Sequence, residues 1–67
     1  MSRLPKKHIP LIIQIVRDLG PQPRYTIANE LKKQLGSITM KTSFDYVNTA
    51  LNEGVLQRVG HLIFIRE

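Results

Sequence analysis

Cysteine and tryptophan are absent from this chain of 67 residues, acidic side chains number only five, and no apolar run is long. Without cysteine there is no disulfide and no thiolate site. His8 and His61 alone do not complete a closed zinc site, so no metal is expected. The longest apolar stretch, residues 11–16, is interrupted by Gln14 and closed by Arg17 and Asp18. It falls well short of the ~20 apolar residues a bilayer span requires, and the N-terminus lacks the flanks of a signal peptide. The chain therefore reads as cytoplasmic, with no membrane partner. Nucleophile motifs, glycine-rich phosphate loops and metal signatures are missing as well. Neither histidine has a carboxylate at a catalytic spacing, so we expect no enzyme and no cofactor.

What is present is cationic charge on a small apolar framework. Ten Lys and Arg against five Asp and Glu give a formal charge of +5, which meets the electrostatic criterion for a polyanion binder. Hydrophobic residues make up 42% of the chain, enough for one core. A single domain of this size buries only about 60% of the surface its unfolded chain exposes. Scaffolds below roughly 70–80 residues commonly lean on disulfides, metal or a partner subunit. With the first two excluded, a homodimer is the expected remedy. Only Tyr25, Phe44, Tyr46 and Phe64 are aromatic, too few for a ladder on which single-stranded bases stack.

Residues 1–8 show no periodicity and read as a mobile basic arm carrying Arg3, Lys6 and Lys7. Residues 9–67 form the domain. A first helix starts near Pro10, with Ile9, Ile12, Ile15, Val16 and Leu19 on one stripe, and stops at Gly20 and Pro21. Pro21-Gln22-Pro23 is a stiff connector, and Arg24-Tyr25 offers a short strand. Thr26 is placed to cap a second helix with Ile27, Leu31 and Leu35 on its inner face, ended by Gly36. Residues 37–41 make a turn. Thr42, followed by Asp45, approximates a capping box for a third helix whose inner face is Phe44, Val47 and Leu51, and Gly54 ends it. Two β-branched runs, residues 55–59 and 62–66, are separated by Gly60-His61, the composition of a type II′ hairpin turn. The expected class is α+β: three helices followed by a short two-stranded antiparallel hairpin.

The segment Thr26-Ile27-Ala28-Asn29-Glu30-Leu31, Leu35-Gly36, then Val47, Ala50-Leu51-Asn52-Glu53-Gly54-Val55-Leu56 resembles winged helix-turn-helix transcription regulators. It is similar to the small single-domain type found in archaea, bacteria and their viruses and plasmids, over nearly the whole chain from Ile9 onward. The resemblance implies binding of double-stranded DNA. The third helix would enter the major groove, the second would cross the backbone, and the hairpin wing would lie on a neighbouring groove.

On a helical wheel Thr42, Tyr46 and Thr49 oppose the Phe44, Val47 and Leu51 face; with Ser43 beside them they are the expected base-reading residues. Because Lys41 is opposed by Asp45 and Glu53, base reading in this helix does not rest on arginine. Phosphate contacts are expected from Arg24, Lys32, Lys33, Lys41 and Arg58, with His61 as a further donor at the wing tip. Arg3, Lys6 and Lys7 are candidate arm contacts. Leu11 and Ile13 flank the first helix's stripe and, with the doubly apolar strand at residues 62–65, are the expected dimer interface. The nearly neutral third helix leaves two alternatives, a protein-docking module and a non-specific nucleic-acid binder.

Overall fold

A computed structural model describes residues 4–66, and all structural statements below concern these. After a 3-10 turn at Lys6–His8 come helix α1 (Ile9–Leu19), strand β1 (Gln22–Pro23), helices α2 (Arg24–Leu35) and α3 (Met40–Asn52), and strands β2 (Leu56–Val59) and β3 (Leu62–Ile65). The architecture is α+β, three helices with an antiparallel sheet of three strands in the order β1-β3-β2.

The third strand is an addition to the expected two-stranded hairpin. Gln22 pairs with Ile63 and Pro23 with Leu62, so the connector between the first two helices is itself a strand, two residues ahead of the Arg24-Tyr25 expectation. Proline withholds a ladder donor and is tolerated at a sheet edge, which is where β1 lies. The pairing also makes β3 the central strand, with Ile63 buried on the core face. In the hairpin, Val59 faces Leu62 across a two-residue turn. Gly60 has φ 65° and His61 is not in the left-handed region, the pattern of a turn that needs positive φ only at its first central position.

Both α2 and α3 begin earlier than their sequence signals indicated. Pro23, with ψ 156°, precedes the first residue of α2, so Thr26 lies within the helix and does not cap it. For α3 the capping residue is Thr39, whose Oγ1 accepts from the Thr42 backbone N–H at 3.2 Å and donates to the Thr42 hydroxyl at 3.1 Å. The capping pair is Thr39 and Thr42, not Thr42 and Asp45. The turn between α2 and α3 is correspondingly shorter, with Gly36 as the C-cap of α2. At the other end of α3 the Val55 N–H donates to Ala50 O at 3.0 Å and the Gly54 N–H to Leu51 O at 3.2 Å. This paired ending requires the positive φ of 81° that glycine adopts without a Cβ penalty.

The core is Ile12, Ile15 and Val16 of α1, Ile27, Ala28 and Leu31 of α2, Val47 and Ala50 of α3, and Leu56 and Ile63 of the sheet. Leu4 joins it at 8% exposure, and Lys6–His8 continue as an ordered turn. The basic N-terminal segment is thus anchored from Leu4 onward, because a buried leucine holds it; Arg3 lies outside the described residues. Leu19 is 40% exposed and leaves the stripe expected for the first helix. No helix among the described residues is long and apolar enough to cross a membrane.

Candidate nucleic-acid interface

Helices α2 and α3 cross at small side chains. Ala28, Ser43 and Ala50 are all fully buried, and the Ser43 hydroxyl donates to the Ala28 carbonyl oxygen. Close approach of two backbones favours small residues, and the buried hydroxyl has the partner it needs. The fully buried line of α3 is therefore Ser43, Val47 and Ala50, with the expected Phe44 and Leu51 half-buried against the core beside it. At ~100° per residue this rotates the whole helix relative to the sequence expectation.

Rotation changes which side chains face outward. Opposite Ser43, Val47 and Ala50 stand Lys41, Asp45, Asn48 and Asn52, at spacings i, i+4, i+7 and i+11 along one stripe. Lys41 and Asn52 are exposed, Asp45 and Asn48 half-buried. Ser43 is removed from the base-reading set because it is inside. Tyr46 turns toward the core, and its ring centroid lies 5.7 Å from that of His8, so it too leaves the outward stripe. Thr42 and Thr49 flank the stripe with their hydroxyls engaged locally, Thr42 by Thr39 and Thr49 as a donor to Asp45 O at 2.8 Å.

Beside this face lies an open cleft of about 220 Å³ lined by Pro23, Arg24, Tyr25, Phe44, Arg58 and His61. Three of the expected phosphate ligands, Arg24, Arg58 and His61, are thereby brought together from α2, β2 and the hairpin turn. Arg58 pairs with Ile63 in register, on the sheet face turned toward the core but near the hairpin tip, so its side chain meets the cleft. The Tyr25 and Phe44 rings pack at a centroid distance of 6.1 Å and tie the first turn of α2 to α3. A second tie is polar: Arg24 Nη1 donates to Asn48 Oδ1 at 2.8 Å.

The remaining cations are dispersed. Lys32 and Lys33 are exposed in the last turn of α2. Eight residues separate Lys32 from Arg24, or about 12 Å along the axis at ~1.5 Å per residue, which takes it away from the cleft. There they also complement the negative end of the helix dipole. Lys6 and Lys7 are exposed in the 3-10 turn. Of the expected dimer residues, Leu11 packs against the core while Ile13 is half-buried on α1.

Asn48, Asn52 and Tyr25 were not anticipated as site residues. The one sequence signal for the asparagines is the spacing of Ser43, Val47 and Ala50, a stripe of small and β-branched residues suited to a tight helix crossing. Comparison with protein-family models, curated proteins and solved structures finds no match to this chain.

Proposed function

We propose that this protein is a sequence-specific double-stranded DNA-binding regulator of the winged helix-turn-helix type, with α3 in the major groove and the hairpin as the wing. The observation that carries this reading is electrostatic. Arg24 is the first residue of α2, with no acidic residue in that turn, and it shares a cleft with Arg58 and His61. A cation at the positive end of a helix dipole is unfavourable by ~0.3–1 kcal/mol for folding alone. Two further basic side chains make the cleft a place where an anionic duplex is drawn in; Arg58, His61 and the N–H groups of the α2 first turn are placed for a backbone phosphate, and Arg24, tied to Asn48, stands between them and α3.

The neighbouring surface suits base reading. An α-helix fits the major groove, and Lys41, Asp45, Asn48 and Asn52 carry donors and acceptors of the kinds that pair with base edges. Thr42 and Thr49 add methyl groups at the flanks, suited to contact with the thymine methyl. Arg58 and His61 lie on the wing side, where the backbone would pass.

Selection of bound duplexes from a random-sequence library at near-physiological salt tests the proposal. Enrichment of a defined motif is the expected result, and a palindrome with half-sites about 10 base pairs apart would further indicate a symmetric dimer. A flat pool would contradict sequence-specific reading and leave non-specific coating or protein docking.

A further inference from the structure

The sequence of α3 contains no arginine, yet the fold delivers one to its outward face. Arg24 comes from α2, and its Nη1 donates to Oδ1 of Asn48, a residue in the middle of the outward stripe of α3. We infer that Arg24 is a specificity-determining residue that reads a guanine in the major groove, with Asn48 as its positioning residue. This rests on the proposed DNA-binding orientation of α3 and assigns a base contact within it.

The chemistry follows from the donor inventory. A guanidinium has five N–H donors in a planar fork, and the Asn48 contact engages only one of its nitrogens. Because Asn48 uses its oxygen as acceptor, it orients the guanidinium and leaves the fork's remaining N–H groups as the reading surface. Guanine offers two adjacent acceptors there, O6 and N7, whereas adenine sets an N6 donor beside N7 and cytosine offers an N4 donor. Donor against donor is repulsive, and thymine offers a single acceptor, O4, beside its methyl group, so guanine alone meets two N–H groups of the fork.

The alternative is that Arg24 simply meets a phosphate. A backbone contact asks only for charge within reach, and Arg58, His61 and the N–H groups of the first turn of α2 already supply it on the wing side. Fixing a long, flexible side chain costs rotamer entropy, and here it is fixed across two helices. The tie holds one guanidinium nitrogen against Asn48 on α3, while Arg58 and His61 line the hairpin side of the same cleft.

The test repeats the duplex selection with Arg24→Lys, Asn48→Ala and Asn48→Asp, followed by competition titrations on single-base variants and a thermal melt of each protein. Wild type is expected to enrich a motif with a guanine at one position. Arg24→Lys keeps the charge but loses the fork. Its preference for that guanine should fall by about five- to 150-fold with the other positions unchanged. Asn48→Ala should weaken preference at the same position, and Asn48→Asp, which retains an acceptor oxygen, should restore it even as total affinity drops. If Arg24→Lys keeps the guanine and binds every sequence less tightly by a common factor, Arg24 is a phosphate contact and the inference fails alone. A wild-type pool without any motif removes this inference and the proposed function together.

Discussion

At the residue scale, the side chain of Ser43 is fully buried where α3 meets α2, bonded to the Ala28 carbonyl. Ser43→Ala removes its hydrogen bond to the Ala28 carbonyl and is expected to lower stability by about 1 kcal/mol in a urea melt. Ser43→Leu adds volume to a closed crossing and should cost a further 1–3 kcal/mol, roughly. Neither value fits a residue exposed in a groove, and loss of base discrimination by a fully stable Ser43→Ala protein would contradict the assignment. Arg24 behaves in the opposite sense. An acidic residue suits the first turn of a helix, so Arg24→Glu should leave stability unchanged or raise it by up to ~1 kcal/mol while abolishing duplex binding. These two positions also define what the chain made legible. Large apolar residues advertised an inner face of Phe44, Val47 and Leu51, all of which pack on the core; the small Ser43 and Ala50 are buried deeper, and nothing local announces how closely two helices will approach. The Arg24–Asn48 contact spans 24 positions and leaves no periodic trace.

At the scale of elements, the order of helices and hairpin was readable because glycines and periodic apolar residues mark each of them. Gly36, Gly54 and the Gly60-His61 turn fall where the sequence places them. The starts of α2 and α3 were less legible, since tertiary ties from Tyr25 to Phe44 and the choice of Thr39 over Thr42 as cap decide them. The short strand β1 exists only by pairing with β3, a long-range event that a two-residue segment cannot signal. The N-terminal segment supplies a test at this scale. Leu4 is anchored in the core, so Leu4→Ala should destabilise the protein by about 2 kcal/mol in denaturant unfolding. An unchanged midpoint would return residues 4–8 to the role of an unattached arm.

For the whole molecule, the net charge of +5 favours contact with a polyanion and repels further copies of the chain. Binding should weaken linearly in log salt, and Arg58→Ala should flatten that slope by about 0.9 while weakening all duplexes alike. A slope unchanged by the substitution would remove the wing from the backbone. A dimer of the proposed kind is favoured on a face without like charges. The sheet surface opposite the core offers one, since Gln57 pairs with Phe64 and Val59 with Leu62, all uncharged, and Val59 is 59% exposed. Leu11 packs against the core whereas Ile13 does not, so we propose Ile13 of α1 together with this sheet face as the contact between two copies. Sedimentation equilibrium should then give a dimer that Val59→Lys converts to monomer; a wild-type monomer at high micromolar concentration would exclude it. The placement of the DNA surface is tested most directly by amide chemical-shift mapping of the labelled protein titrated with duplex DNA. The largest changes are expected at Arg24, Lys41, Asn48, Asn52, Arg58 and His61. Changes confined to α1 and the outer sheet face, with α3 undisturbed, would contradict it.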